Sequence, residues 1–224
     1  MKKVLLGLAL LAFVLTGVCQ GEETSLRPID GHTWAGERSF LTGYSSGNED
    51  GTVNMVVEIP AGTNEKWEVK GAAENPEGYL KRDFADQIPR VVQYLPYPFN
   101  YGMVPNTVLS EESGGDGDPL DVVFLGSSCP RGSVVSVAPI GVIKLVDRGE
   151  TDDKLIAVAP DGIFGGIHSI QELDEGFPGI TAIIETFFLN YKGQGKMTSG
   201  GFAGPEEAQK LLNSALVDGV LFSD

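Results

Sequence analysis

From Val53 to Val158 the chain is a succession of short, β-branched apolar runs, each stopped by Gly, Pro or a cluster of charges. Val53 to Pro60 comes first, ended by Pro60-Ala61-Gly62. Lys66-Trp67-Glu68-Val69-Lys70 alternates strictly, which puts Lys66, Glu68 and Lys70 on one face of a strand. Arg90 to Leu95, Asp121 to Leu125, Ser133 to Val146 (one bent strand or two, with Pro139-Ile140-Gly141 as the bend) and Lys154 to Val158 follow. A period of three to four residues appears only later. Ile180, Ile184, Phe187 and Tyr191 stand behind Pro178, and Ala208, Leu211, Leu212 and Leu216 behind Pro205. The spacing predicts a helix at each place. Strands first and helices after argue for an α+β fold, a small β-barrel with C-terminal helices packed on it. The 30 Gly and 13 Pro among 224 residues fit that turn-rich reading and not a helix bundle.

The N-terminal end reads differently. Lys2 and Lys3 precede an apolar run from Val4 to Val18, too short for a membrane span of about 20 residues and suited to the core of a signal peptide. We therefore expect a signal peptide over 1–20, a polar, Gly- and Ser-rich N-terminal arm over 21–52, and one folded domain over 53–224. Leu15-Thr16-Gly17-Val18-Cys19 is similar to a bacterial lipobox, although Val18 stands where a small residue is expected. The exported product is thus either periplasmic or a membrane-anchored lipoprotein held by lipid on Cys19. Cys129, the only other cysteine, is expected to be unpaired. A formal charge of −15 disfavours nucleic acid and anionic lipid as partners. An anionic substrate would need bound cations that reverse the sign locally.

Asp116, Asp118 and Asp121 crowd three carboxylates into six residues ahead of the strand Val122 to Leu125. Their repulsion is relieved by a cation, so the loop is a candidate site for a hard metal ion. A calcium loop of the EF-hand type fails, because the fifth, sixth and twelfth positions counted from Asp116 hold Leu120, Asp121 and Ser127. A second acidic group, Asp147-Arg148-Gly149-Glu150-Thr151-Asp152-Asp153, is also bounded by strands. Together with Glu58 and Glu68 the two loops offer ligands for ions about 3.5–4 Å apart, the arrangement of two-metal phosphoryl hydrolysis. Lys66, Arg90, Lys154 and Lys192 supply cations, and Tyr101 and Tyr191 hydroxyl donors, of the kind that neutralise a departing phosphate. Each alone is as well explained by a solvated surface position.

Asp116-Gly117-Asp118-Pro119-Leu120-Asp121 resembles the D-x-D-P-x-D signature of family I soluble inorganic pyrophosphatases. Val57-Glu58-Ile59-Pro60, Lys66-Trp67-Glu68, Tyr97 to Gly102, Gly141 to Lys144 with Asp147, Asp152-Asp153-Lys154 and Tyr191-Lys192 follow in that family's order. The resemblance implies a five-stranded, OB-like barrel that hydrolyses pyrophosphate with three to four Mg²⁺ ions per active site, a hydroxide bridging two of them being the nucleophile. It implies metal ligation by Glu68, Asp116, Asp121, Asp147 and Asp152, with Glu58 in an outer shell. Asp118 would be the catalytic base, and Lys66, Tyr101, Lys154, Tyr191, Lys192 and an arginine would bind phosphate. That arginine is Arg90 or Arg82, with Arg90 favoured. The family also implies a homo-oligomer, dimeric or hexameric.

Overall fold

In the computed structural model, which describes residues 21–22 and 25–217, five strands close into a ring. They are β1 (Val53–Ile59), β2 (Asn100–Met103), β3 (Asp121–Leu125), β4 (Val134–Asp147) and β5 (Lys154–Val158). β1 pairs with β2, β2 with β3, β3 with β5, β5 with β4, and β4 returns to β1. Four of these pairings are antiparallel and one, β3 with β5, is parallel with Val122 opposite Leu155. Parallel strands start at the same end, so the acidic segments that lead into β3 and β5 open on one mouth. The Thr151 N–H donates to the Gly114 carbonyl at 2.8 Å and ties those segments together.

The expected bend in β4 is a register shift between Pro139 and Gly141, placed where proline has no N–H to give the ladder. Side chains alternate across β5, with Leu155 and Ala157 in one core cluster and Ile156 and Val158 in another. Lys154 shares the second face and is 1% exposed.

Among the described residues three α-helices cover the ring: α1 (Ile170–Gly176), α2 (Ile180–Tyr191) and α3 (Pro205–Ala215). α2 buries Ile184, Phe187, Phe188 and Tyr191, the face its period predicted. Burial of each such large apolar side chain is worth about 1.5–3 kcal/mol, so the helix is firmly seated and its C-terminal end, Tyr191-Lys192, is delivered to the mouth. Pro205 lies in the first turn of α3, which buries Ala208, Leu212 and Ala215. α1 was not expected, although Ser169 caps it by accepting from the Glu172 N–H and Glu172 reaches back to the His168 N–H, a Ser-x-x-Glu signature open to sequence reading.

Two expectations need correction. Arg90 to Leu95 is not a strand: only Val91 makes an isolated bridge, to Glu65. Val92 is buried and its N–H donates to the Asn64 carbonyl at 2.8 Å, but Val91, Tyr94 and Leu95 are exposed and no continuous ladder forms before Pro96, which has no N–H to give. Cys129 is disulfide-bonded and not an unpaired thiol; the expected signal peptide and Cys19 lie outside the described residues. Lys66 to Lys70 shortens to a strand at Trp67–Glu68, paired with Leu80–Arg82. The arm carries an unexpected hairpin, Arg27–Asp30 with Thr33–Ala35, that joins this small sheet. Its Phe40, Leu41 and Tyr44 are buried against Trp67 and Leu80.

Candidate active site

The mouth of the ring is a cavity of about 320 Å³, and the thirteen site residues favoured from sequence line it, the alternative Arg82 excepted. The first wall is the loop before β3. Gly117 takes a positive φ of 78°, Asp116 Oδ1 accepts the Asp118 N–H at 3.0 Å, and the Gly117 N–H donates to the Leu109 carbonyl at 2.8 Å. This tight turn sets Asp116 and Asp118 side by side. Burial lifts the Asp116 carboxyl to about 6; the Asp118 N–H opposes the shift, and the charges of Asp118, Asp121 and Asp152 add to it.

Asp118 is gripped from the facing segment. Its Oδ1 accepts the Gly71 N–H and its Oδ2 the Lys70 ammonium, both at 2.8 Å. A Cβ on residue 71 would stand 2.1 Å from the Gly117 carbonyl oxygen, so only glycine lets the two backbones approach this closely.

Asp121 begins β3. The register sets Tyr101 opposite Val123, so Tyr101 and Asp121 share a face and the Tyr101 hydroxyl donates to Asp121 Oδ2. Lys154 Nζ reaches Asp121 Oδ2 at 2.6 Å and Asp152 Oδ1 at 2.7 Å. Burial alone would lower the lysine's pKa; the two carboxylates outweigh it and hold the ammonium above its ordinary range. Burial also pushes Asp121 up, but Lys154 and Lys66 overcome it and keep the carboxyl below its usual value.

The hairpin after β4 turns at Arg148 and Gly149, both with positive φ (52° and 101°), the conformation of a two-residue type I′ connection. Asp152 faces the cavity, whereas Asp153 turns inward to accept the Leu145 N–H at 2.9 Å. Asp147 Oδ2 accepts Lys192 Nζ at 2.6 Å, while its buried Oδ1 has no donor. Burial raises the neighbouring Tyr191 hydroxyl to about 12, with Lys154 and Lys66 pulling it the other way.

On the opposite wall Glu68 pairs with Lys66 at 2.9 Å and with Lys70 at 3.5 Å. Burial disfavours its charge, yet the two ammonium groups bring it down to about 2. Glu58, 2% exposed, is pushed well up by burial and accepts the Val69 N–H at 2.6 Å, which fixes the segment that carries Lys66, Glu68 and Lys70. Arg90 lines the cavity, held by Asp83 at 2.7 Å. Arg82 is not on that wall; it pairs with Glu65 at 2.9 Å and lies over the Trp67 ring. Sequence reading missed Lys70, Glu74 and Asp83 as wall residues and included Glu150 only as part of the second acidic group. Of the three missed, Lys70 alone had a signal, its place on the face of Lys66 and Glu68.

These donors suit a hard divalent cation. They are carboxylates crowded around one cavity, one of them has a buried oxygen without a hydrogen-bond donor, and another is raised by burial and like charge. Among the described residues no three acidic, His or Cys side chains are grouped as an ion-binding set; lysines stand between them and carry the compensating charge.

The sequence model for "Inorganic pyrophosphatase" matches residues 55–218. Inorganic pyrophosphatase 1 of Caenorhabditis elegans is 34% identical over 74% of this chain and 43% of its own length. An inorganic pyrophosphatase of Xanthomonas campestris pv. campestris is 35% identical over 71% of this chain and 85% of its own length. The chain spans about half the length of the eukaryotic relatives that head these matches. The solved structure of inorganic pyrophosphatase from Schistosoma japonicum superposes with a TM-score of 0.72 at 27% identity, over 86% of this chain and 74% of that one.

Proposed function

This chain belongs to the inorganic pyrophosphatase family, and we propose that it hydrolyses pyrophosphate to two orthophosphates in the cavity described above. The observation that carries the reading is the convergence of Glu68, Asp116, Asp118, Asp121, Asp147 and Asp152 with Lys66, Arg90, Lys154 and Lys192 around one cavity of about 320 Å³. A phosphate-release assay with pyrophosphate and Mg²⁺ tests it.

The proposed complement is three to four Mg²⁺ ions, held by the carboxylates of this cavity. Asp116, Asp121 and Asp152 would hold a first ion, Asp121 would reach a second, Asp147 and Asp152 would take one that arrives with substrate, and Glu68 would serve a fourth with Glu58 behind it. Bound Mg²⁺ would supply a lowered pKa for coordinated water, and so a nucleophile at neutral pH. The chain's own residues do the remaining work. Asp118, fixed by Gly71 and Lys70, orients the attacking water and accepts its proton. Arg90, Lys66, Lys154 and Lys192 face the phosphate oxygens and offset the charge of the leaving group, with Tyr101 and Tyr191 as hydroxyl donors. Each cation is now paired with a carboxylate, so ions that take the carboxylates free the cations for substrate.

Asp116 must lose its proton to ligate. Because its carboxyl is lifted to about 6, Mg²⁺ affinity should fall as pH drops through that value, by about tenfold per pH unit below it for one displaced proton. Calorimetric titrations between about pH 5 and 8 read this directly; an affinity flat across the range contradicts Asp116 as a ligand.

We also place the protein outside the cytoplasm, on the strength of Lys2, Lys3 and the apolar run Val4 to Val18, and as a homo-oligomer. Intact mass of the fractionated protein separates retention, cleavage and lipidation at Cys19; since Cys19 is the only other cysteine and Cys129 is disulfide-bonded, a lipidated mass would exclude that bond, and an unprocessed cytoplasmic mass contradicts export. Light scattering reads the assembly, and a monomer contradicts it.

A further inference from the structure

A second cavity, of about 600 Å³, adjoins the first. Asp83, Arg90, Asp147, Tyr191 and Lys192 line both, so the two are one continuous groove. The Arg90–Asp83 and Lys192–Asp147 ion pairs, at 2.7 and 2.6 Å, stand at the join. Beyond them the wall carries Arg148, from the hairpin after β4, and Lys196, from the segment after α2. The Arg148 N–H donates to the Lys196 carbonyl at 3.2 Å, which keeps the two residues side by side.

Charge distinguishes this extension. The chain carries −15, yet the charged residues of the second cavity are Arg90, Arg148, Lys192 and Lys196 against Asp83 and Asp147. Both acids are already matched by Arg90 and Lys192. Arg148 and Lys196 have no acidic partner among the described residues. An uncompensated pair of cations that continues a phosphate site is complementary to further phosphate groups in line with the first two.

We propose that the groove takes linear phosphate chains longer than pyrophosphate, with two terminal phosphates in the catalytic cavity and the next ones against Arg148 and Lys196. The inference rests on the catalytic reading of the first cavity. With tripolyphosphate, water adds to the terminal phosphorus and the bridging P–O bond breaks. The bridging oxygen leaves with the electron pair as pyrophosphate, and orthophosphate and a proton are released. The pyrophosphate formed is itself a substrate for the same cavity.

The test compares the wild-type protein with an Arg148→Asn, Lys196→Ala double variant; Asn suits the positive φ of 52° at position 148. Phosphate release is followed with pyrophosphate and with tripolyphosphate, both with Mg²⁺, and binding of each is measured by calorimetry. The expected result is tripolyphosphate cleavage by wild type, a KM and Kd for it raised roughly tenfold in the variant, and unchanged constants for pyrophosphate. Wild type that cleaves pyrophosphate but neither binds nor cleaves tripolyphosphate overturns the inference, as does a variant with unaltered tripolyphosphate binding. Failure to cleave pyrophosphate would instead strike the catalytic reading, and the calorimetry would still decide whether Arg148 and Lys196 hold the longer chain.

Discussion

Asp118→Asn is expected to reduce turnover of pyrophosphate by at least ~100-fold while the protein stays folded and binds Mg²⁺, the scale on which a lost general base is felt. The substitution keeps the shape of the side chain. Its carbonyl oxygen can still accept the Gly71 N–H that now reaches Asp118 Oδ1 at 2.8 Å. Lys70 loses one counter-ion and keeps Glu68 at 3.5 Å. What disappears is the ability to take a proton, so kcat should fall far more than substrate affinity. Steady-state kinetics, with calorimetry for Mg²⁺ and near-ultraviolet circular dichroism for the fold, separate these effects. A variant with near-wild-type kcat would remove Asp118 from the role of base.

The largest effect on stability is expected at Lys154. Its ammonium is almost wholly enclosed, at 1% exposure, and neutralises both Asp121 and Asp152 at 2.6 and 2.7 Å. Lys154→Met keeps the volume and leaves two carboxylates without their counter-ion. Breaking a buried pair from one side costs about 3–5 kcal/mol, which for a domain of this size lowers Tm by roughly 6–20 °C. The loss should be large in a chelator and much smaller in Mg²⁺, since ions on Asp121 and Asp152 would replace the missing charge. A thermal scan in each condition reads both. Equal losses with and without Mg²⁺ would mean that the cation does not reach these carboxylates.

Which parts of this architecture were legible in sequence follows from where the information resides. β1, β3, β4, β5, α2 and α3 announce themselves because their side chains carry the period, as Ile184, Phe187 and Tyr191 do along α2. β2 and the strand Met197–Ala203 do not. They hold glycines and polar residues and are strands because neighbouring backbones pair with them. At Gly102 a Cβ would stand 1.8 Å from the Val56 carbonyl oxygen, so the residue that weakens the strand signal is the one that lets β1 approach. Arg90 to Leu95 shows the converse, a strand-like composition in which only Val91 bridges a neighbour and Val91, Tyr94 and Leu95 stay exposed.

The site was readable as a set of residue types in order, through its resemblance to a family, and not as a set of pairings. Lys70 and Asp118 are 48 residues apart, and only the turn at Gly71 brings them together. The choice between Arg90 and Arg82 likewise depended on which neighbour, Asp83 or Glu65, each guanidinium meets.

Phosphorus NMR of the purified protein with pyrophosphate, in Mg²⁺ and then in excess chelator, bears on pyrophosphate hydrolysis without any coupled reagent. We expect the pyrophosphate resonance to give way entirely to orthophosphate in Mg²⁺ and to persist in chelator. Persistence of pyrophosphate in Mg²⁺, with the protein folded and the ion bound, would contradict hydrolysis in this cavity.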